Sequence, residues 1–247
     1  MTVTGDAFGM ALRDWGRGGE DPEIYERRDG FLDVGAGLEL FMAGFDDWPA
    51  PERRAMRYVR GRVVDVGCGS GRVALHLQRQ GADAVGTDSS PGAIGTARTL
   101  GLHHAWQLTL AELTPRLAEF DTAILFGNNA GIFGTPARVR RGLTAWSARM
   151  VPGSVLLAES TDPATGLVPT LDDAHRRRNV AAGRAAGQLR LRVRYRDRAT
   201  AWFDWVFLSP AELGELADGT GWTLRRILSS RGTGPFVAVL ENTRAGR

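Results

Sequence analysis

Residues 63–72 read Val-Val-Asp-Val-Gly-Cys-Gly-Ser-Gly-Arg, and this stretch decides how the chain folds. A short apolar run typical of a buried strand leads into three glycines at alternate positions, and apolar residues at helical spacing follow as far as Gln80. Glycine lets the backbone adopt positive φ and pass close to a ligand, and the free N–H groups of a helix start suit an anionic group. The pattern therefore predicts a strand, a ligand-binding turn and a helix.

A second acid follows the next predicted strand. Residues 84–87 read Ala-Val-Gly-Thr, and Asp88 stands directly after them. A carboxylate at the end of the second strand of such a unit can accept hydrogen bonds from both hydroxyls of a ribose. Together with the glycine turn, Asp88 predicts a cofactor that contains a nucleoside.

Two classes of enzyme use a glycine turn of this kind. Nicotinamide enzymes carry G-x-G-x-x-G, in which the third glycine allows the helix to pack on the strand, and Arg72 occupies that place here. The spacing D-x-G-x-G-x-G that begins at Asp65 instead resembles motif I of class I S-adenosylmethionine (SAM)-dependent methyltransferases. In that family the acid helps to hold the amino-acid part of SAM.

The resemblance extends beyond the turn. Pro152-Gly153-Ser154 resembles the turn into strand five of these enzymes, and Gly127-Asn128-Asn129 resembles their motif IV, which faces both SAM and substrate. The whole chain looks like a bacterial small-molecule methyltransferase of actinobacterial type, which implies a small-molecule acceptor, as in secondary metabolism. The resemblance assigns these residues to SAM: Asp65, Gly67, Cys68, Gly69, Gly71, Arg72, Asp88, Ser89, Thr109, Leu110, Gly127 and Asn128.

The adenine contact departs from the family pattern. Many members carry an acid at the end of strand three that binds the adenine amino group, and Thr109 stands there in this chain. We expect the Thr109 side chain and the Leu110 backbone to hold adenine, or Glu112 if the strand register differs.

Residues 128–129 do not match the Asn-Pro-Pro-Tyr signature of exocyclic-amine DNA and protein-glutamine methyltransferases, so such substrates are not expected.

The fold class follows from the order of the predicted elements. Short apolar strands alternate with helices up to residue 162, which predicts an α/β fold of the doubly wound type with a mostly parallel sheet. The resemblance implies seven strands, of which the last is antiparallel. We expect a single methyltransferase domain whose SAM-binding core comprises residues 61–162 and 209–247.

The remaining segments are expected to cover the site. In the N-terminal cap (1–60), Asp29-Gly30 between apolar-rich runs predicts a hairpin, and a helix is expected from Leu38 to Phe45. In the insertion (163–208), strict alternation over 189–197 and the run Ala-Trp-Phe-Asp-Trp-Val-Phe-Leu at 201–208 predict a second hairpin. The aromatic residues of that run either bury the hairpin or line a substrate pocket.

Four residues are candidates for direct work on the acceptor. Asn129 either orients the acceptor or caps a loop. Glu159, at the end of predicted strand five, either accepts a substrate proton, binds a substrate amine or caps the next segment. Tyr25 of the first hairpin either reaches the mouth of the pocket or packs inside the cap, and His175 of the insertion either contacts substrate or lies at the surface. Because the leaving group of SAM is neutral, placement of the acceptor supplies much of the catalysis.

Composition restricts the remaining classes of partner. The chain has 31 basic residues, all of them arginine, and 28 acidic residues, which gives a net charge of +3. The single cysteine, Cys68, has no partner for an internal disulfide. The apolar runs are far shorter than the ~20 residues of a membrane span, and the N-terminus carries no secretion signal, so a cytoplasmic protein without membrane contact is expected. No metal and no nucleic acid are expected.

Two other functions remain open at this level: a methyltransferase acting on RNA or protein, and a SAM-binding regulator without catalysis. The arginines of the alternating strand at 189–197 decide whether an RNA acceptor is expected. Arg190, Arg192, Arg194 and Arg196 share one face because strand side chains alternate, but no aromatic residue is interleaved among them. Asp197 and Asp204 nearby would repel phosphates, so the sequence predicts a solvated face.

Overall fold

The computed structural model of the chain describes residues 3–35, 38–230 and 234–245. Two separate sheets are formed within these ranges. The strands are, in chain order, β1 (Val3–Thr4), β2 (Ile24–Arg27), β3 (Leu32–Val34), β4 (Val63–Val66), β5 (Ala84–Asp88), β6 (Ala105–Gln107), β7 (Thr122–Leu125), β8 (Val155–Thr161), β9 (Gln188–Tyr195), β10 (Arg198–Ala199), β11 (Phe203–Val206), β12 (Trp222–Ser229) and β13 (Pro235–Asn242).

Helices connect and cover these strands. They are α1 (Ala7–Trp15), α2 (Glu39–Met42), α3 (Ala50–Ala55), α4 (Arg72–Arg79), α5 (Pro91–Thr99), α6 (Leu110–Leu113), α7 (Pro136–Ser147), α8 (Asp173–Ala181) and α9 (Pro210–Ala217). The helix predicted from Leu38 to Phe45 is shorter than expected, because the backbone becomes extended at Ala43. Among the described residues, no helix combines the length and the apolar character that crossing a membrane requires.

The larger sheet has the strand order β12-β13-β8-β7-β4-β5-β6. The ladders β4–β5, β4–β7, β5–β6 and β7–β8 are parallel, and β13 runs antiparallel to both β8 and β12. The prediction of a doubly wound, mostly parallel sheet of seven strands is confirmed. The order reverses between β4 and β7, so the carboxyl ends of β4, β5 and β7 meet at one edge, where ligands of such sheets bind.

Helices bury both faces of this sheet. On one face, Ala55 of α3, Val73 of α4 and Ile94 of α5 join one buried cluster with strand residues. On the other, Leu143 of α7 and Leu213 of α9 join a second cluster. All four residues of β4 are buried, which explains why its sequence is a continuous apolar run around one acid rather than an alternation.

The smaller sheet, called the cap sheet below, has the order β1-β10-β9-β2-β3, and β11 pairs with the other part of β9. Both predicted hairpins are present, since β2 pairs with β3 and β9 pairs with β11 in antiparallel register. They are joined because β2 also pairs with β9, with Tyr25 opposite Val193. The N-terminal cap and the insertion, which the sequence suggested as separate segments, therefore form one continuous layer.

The alternation of β9 divides the cap sheet into two faces. Leu189, Leu191, Val193 and Tyr195 are buried on the inner face. On the outer face Arg190 pairs with Asp204, and Arg192 and Arg194 pair with Glu26. Arg196 does not share this face as predicted: it follows the end of β9 with a φ of +50° and pairs with Asp14 and Asp21. The guanidinium of Arg192 also lies 4.7 Å from the ring centre of Trp202, an aromatic contact that the alternation did not predict. This face is thus a network of ion pairs.

Helix α1 fixes the cap onto the core. The Asp6 carboxylate accepts hydrogen bonds from Gly9 N of its own helix, from Ser90 Oγ and from Gly92 N at the start of α5. A Cβ at Gly9 would collide with the Asp6 carboxylate and with Ser90 Oγ, and would lie 2.7 Å from Gly92 Cα. Glycine at position 9 is therefore what allows the two helices to approach so closely.

We expect Gly9→Ala to destabilise the protein by about 1–3 kcal/mol, because the added methyl group must separate α1 from α5. Gly95→Ala is the matched control, since Gly95 is also helical and its Cβ would meet nothing within 4 Å. It is expected to be neutral or to stabilise by up to about 1 kcal/mol, through helix propensity. Urea unfolding of the two variants measures the difference, and equal stability would contradict the close packing at Gly9.

Candidate active site

The glycine turn after β4 adopts the conformation for which the sequence suggested glycine. Gly67, Gly69 and Gly71 have φ values of +69°, +55° and +83°. A Cβ at Gly67 would lie 2.6 Å from Asn129 Nδ2, and one at Gly71 would lie 3.1 Å from the Cβ of Ala97 in α5. The turn is therefore closed on two sides by neighbouring elements, and larger residues would be both strained and crowded there.

Asp88 joins the end of β5 to this turn. Its Oδ2 accepts a hydrogen bond from Gly69 N at 3.0 Å, and its Oδ1 accepts one from Ser90 N at 2.8 Å. Burial raises the pKa of Asp88, although the bonds from Ser90 and Gly69 oppose the shift. Ser89 lies between Asp88 and Ser90, which is the N-cap of α5. The Asp88 carboxylate thus lies at the sheet edge where we expect the ribose of the cofactor to bind.

Asp65, the acid of the motif, is buried within β4. Its Oδ2 accepts a hydrogen bond from Ala74 N at 3.3 Å, which caps the first turn of α4. Burial raises the pKa of Asp65 to about 7, against the opposing charge of Arg72. Asp65 is therefore poised to change protonation near neutral pH. Cys68 is also buried, and burial raises its pKa, so the thiol stays protonated.

The loop after β7 is pinned to the glycine turn. Asn128 has a φ of +63°, and its Oδ1 accepts a hydrogen bond from Thr161 Oγ1 at 2.8 Å. The side-chain amide of Asn129 donates from Nδ2 to Val66 O at 2.9 Å and to Gly67 O at 3.0 Å. Asn129 thus lies beside the turn, as predicted, but its amide nitrogen is engaged in joining two loops.

Glu159 takes a different position from the one predicted. β8 continues to Thr161, so Glu159 lies inside the strand and is only 2% exposed. Its Oε2 accepts hydrogen bonds from Gly127 N and from Asn128 N, and its carboxyl group is hydrogen-bonded to that of Glu52. Burial, and the neighbouring carboxylate of Glu52, raise the pKa of Glu159 well above its usual range. It supports the loop after β7 from beneath, through these two backbone bonds.

Arg72 also differs from its predicted role. Its guanidinium makes two bonds to the Glu52 carboxylate, at 2.6 and 2.7 Å, and lies 4.7 Å from the ring centre of Trp48. The side chain therefore binds α3 of the cap instead of reaching towards a cofactor. Glu52, which the sequence analysis missed, is the buried centre of this group and is flanked by Arg72 and Glu159. One glutamate in an amphipathic helix looks like an ordinary surface residue, so the sequence did not indicate that Glu52 is buried.

The predicted adenine contacts lie after β6. Thr109 is the N-cap of α6 and forms a capping box with Glu112, whose Oε2 accepts from Thr109 N and Thr109 Oγ1 at 2.8 Å each. The Glu112 carboxylate is thus folded back on its own helix through Oε2. Leu110 is the first residue of α6. The assignment of Thr109 and Leu110 to adenine stays a prediction.

His175 lies within the cap. Its Nε2 is 3.1 Å from Gln188 O, and its Nδ1 is 3.8 Å from Asp29 Oδ2. Burial lowers the pKa of His175, so the ring is neutral near pH 7. These contacts hold α8 to the cap sheet and explain the position of His175 without a catalytic role.

The cap sheet reaches the motif IV loop through β11. A Cβ at Gly131 would collide with Val206 O and would lie 2.8 Å from Trp205 Nε1. Trp205 and Phe203 lie in one apolar cluster with Leu191 and Tyr25. The inner face of the cap sheet therefore adjoins the loop that carries Asn129, and Tyr25 belongs to that face.

The comparisons with known proteins agree with this architecture. Residues 63–153 match the family model described as a methyltransferase domain. A 49-residue segment is 43% identical to a ubiquinone biosynthesis O-methyltransferase of Azorhizobium caulinodans, and it spans 19% of this chain and 19% of that relative.

Solved structures match over nearly the whole chain. A SAM-dependent methyltransferase from Bacteroides fragilis in complex with S-adenosylhomocysteine has a TM-score of 0.78 at 23% identity, covering 99% of this chain and 98% of that one. The CcbJ methyltransferase from Streptomyces caelestis has a TM-score of 0.56 at 17% identity, covering 81% and 95%. These likenesses show the fold. The family match over residues 63–153 confirms the prediction of a methyltransferase domain.

The residues at the carboxyl edge of the large sheet fit SAM, the cofactor predicted from the sequence. The turn supplies three positive-φ glycines for close approach of a ligand to the backbone, and Asp88 supplies a carboxylate for ribose hydroxyls. Asp65 lies below the turn, near the place where the amino-acid part of SAM would lie. A groove of about 600 Å³ between α1 and α5 is separate from this edge; Arg13 and Thr99 line it, and no residue of the turn does.

We expect Asp88→Ala to weaken the binding of S-adenosylhomocysteine about tenfold or more, since charge-assisted bonds to the ribose would be lost. Asp83→Ala is the control at the opposite end of β5, where Asp83 pairs with Arg62 on the surface at 3.1 Å. Isothermal titration calorimetry measures both. Unchanged affinity in Asp88→Ala would show that another group holds the ribose.

Proposed function

We propose that the protein is a SAM-dependent methyltransferase that transfers the methyl group to a small-molecule acceptor bound between the carboxyl edge of the large sheet and the cap sheet. One observation carries the proposal: the inner face of the cap sheet, lined by apolar and aromatic side chains, adjoins the loop after β7 through Trp205 and Gly131. A covered, mostly apolar space with a few polar groups is typical of small-molecule sites.

The chain's own residues mainly bind and position. SAM, when bound, supplies a methyl group activated by the sulfonium. Asp88 would hold its ribose and the glycine turn its amino-acid part, while Asn129 keeps the β7 loop against that turn. The cap sheet would exclude water and orient the acceptor in line with the methyl group. Because the leaving group is neutral, such placement supplies most of the rate gain.

The outer face of the cap sheet argues against an RNA acceptor. Arg190, Arg192 and Arg194 on this face have acidic partners, among them Glu26, whose carboxylate Oε2 lies 2.8 Å from Arg192 Nε and 3.5 Å from Arg194 Nη1. A phosphate backbone would have to displace these carboxylates. The salt-dependent attraction on which phosphate binding depends is therefore largely cancelled on this face.

The proposal predicts where the label of methyl-tritiated SAM appears. With a panel of phenols and amines, bulk RNA and a protein mixture offered together, we expect transfer to the small molecules. Transfer should fall about tenfold or more in Asp88→Ala at a SAM concentration below its Kd, and should persist in Asp83→Ala. Label recovered in RNA or protein by the parent, and in no small molecule, would contradict the proposal.

Binding of S-adenosylhomocysteine is expected to strengthen as pH rises from 5.5 to 7.5. The pKa of Asp65 is about 7 in the free protein, so its carboxyl group is largely protonated at the lower pH. A nearby ammonium favours the ionised form, so binding releases a proton and tightens by up to about tenfold per pH unit below 7. Asp65→Asn should remove this dependence in calorimetric titrations. Equal affinity of the parent at both pH values would show that Asp65 does not sense the ammonium.

A further inference from the structure

Three polar side chains share the inner face of the cap sheet near its β2–β3 end. Tyr25 of β2 and Asp33 of β3 are paired residues, so they point to the same side as Val193, which is buried on the inner face. Glu23 precedes Tyr25 by two residues, and strand alternation places it on that side as well. We call Glu23, Tyr25 and Asp33 the acidic subsite.

Glu23 is buried but lacks a full set of partners. It is 1% exposed, and its Oε2 has no hydrogen-bond partner among the residues that the structure describes. The carboxyl group lies over Gly35, where a Cβ would come within 2.5 Å of Glu23 Cδ. A buried carboxylate without partners is costly, so a ligand that satisfies Oε2 would recover free energy.

No cation compensates these acids within the described ranges. Glu23 and Asp33 take part in none of the ion pairs found there, although the chain has 31 arginines. Arg27, on the same side of β2, is fully occupied by Asp29, Asp172 and Thr170 O. Burial raises the pKa of both Glu23 and Asp33, and the nearby charge of Glu39 adds to the shift of Glu23.

The acidic subsite lies close to the cofactor edge. Glu39, which is near enough to act on Glu23, begins α2, and Phe41 of that helix lies 3.6 Å from the position of a Cβ on Gly69. The Phe41 carbonyl also accepts a hydrogen bond from Ser70 Oγ. On its other side, Tyr25 lies in the cluster with Trp205, which touches the β7 loop. The subsite thus lies between the glycine turn and the aromatic lining.

We propose that Glu23, Tyr25 and Asp33 bind a positively charged group of the methyl acceptor, so that the enzyme takes amine-bearing small molecules with an apolar or aromatic body. This inference rests on the proposed function and names its substrate class. An ammonium donates three hydrogen bonds and brings the positive charge that would compensate Glu23 and Asp33. The apolar body would lie on Trp205 and Phe203.

Calorimetry with S-adenosylhomocysteine already bound tests the proposal, using 2-phenylethylamine, 2-phenylethanol and 3-phenylpropionate as probes of similar shape. We expect the parent to bind the amine at least about tenfold more tightly than the alcohol and to bind the carboxylate most weakly, because only the amine brings a positive charge to the acidic side chains. Glu23→Gln and Asp33→Asn should each lower the preference for the amine. Glu20→Gln, at an exposed glutamate, is the matched control and should retain it.

Binding of S-adenosylhomocysteine to each variant separates the outcomes. Unchanged cofactor affinity in Glu23→Gln with a lost amine preference supports an acceptor subsite. Weakened cofactor affinity with no amine preference in the parent would show that the acids hold the ammonium of SAM itself, which overturns the proposal. A parent that binds the cofactor but all three probes equally overturns it too. A parent that binds no cofactor overturns the proposed function instead.

Discussion

The turn from Gly67 to Gly71 is the constraint on which the site depends. Each of its three glycines has positive φ, and each is fixed by a different neighbour. Asn129 bonds to the carbonyl of Gly67, Asp88 accepts from Gly69 N, and α5 leaves room only for a hydrogen at Gly71. Because β5, the β7 loop and α5 all meet at this turn, a change of its backbone would also move Asp88 and the β7 loop.

The cap is joined to the same region by buried charge. The side chain of Arg72 extends from the end of the turn and bonds to Glu52 of α3, and Glu52 in turn lies beside the Glu159 carboxyl group beneath the β7 loop. Breaking one member of such a group leaves the others buried and uncompensated, which typically costs several kcal/mol. Asp6 makes a second connection, from α1 to the start of α5. The cap, the turn and the β7 loop are therefore expected to form and to loosen together.

The local elements could be predicted from the sequence, because apolar period, capping residues and glycine spacing act over short distances. The strand–turn–helix at 63–79 and both hairpins follow from such patterns. The pairing of β2 with β9 joins residues far apart in the chain, and no local pattern encodes it. For the same reason Glu159 and Arg72 were assigned to ligands: their partner, Glu52, lies in another segment, and only the fold brings the three together.

A crystal structure with bound S-adenosylhomocysteine tests the central claim most directly, because the sulfur marks where the methyl group is transferred. We expect the ribose on Asp88, the amino-acid part on the turn 67–71, and the sulfur facing the inner side of the cap sheet near Asn129 and Trp205. A ligand seated in the groove between α1 and α5, or a sulfur that faces away from the cap sheet, would contradict it.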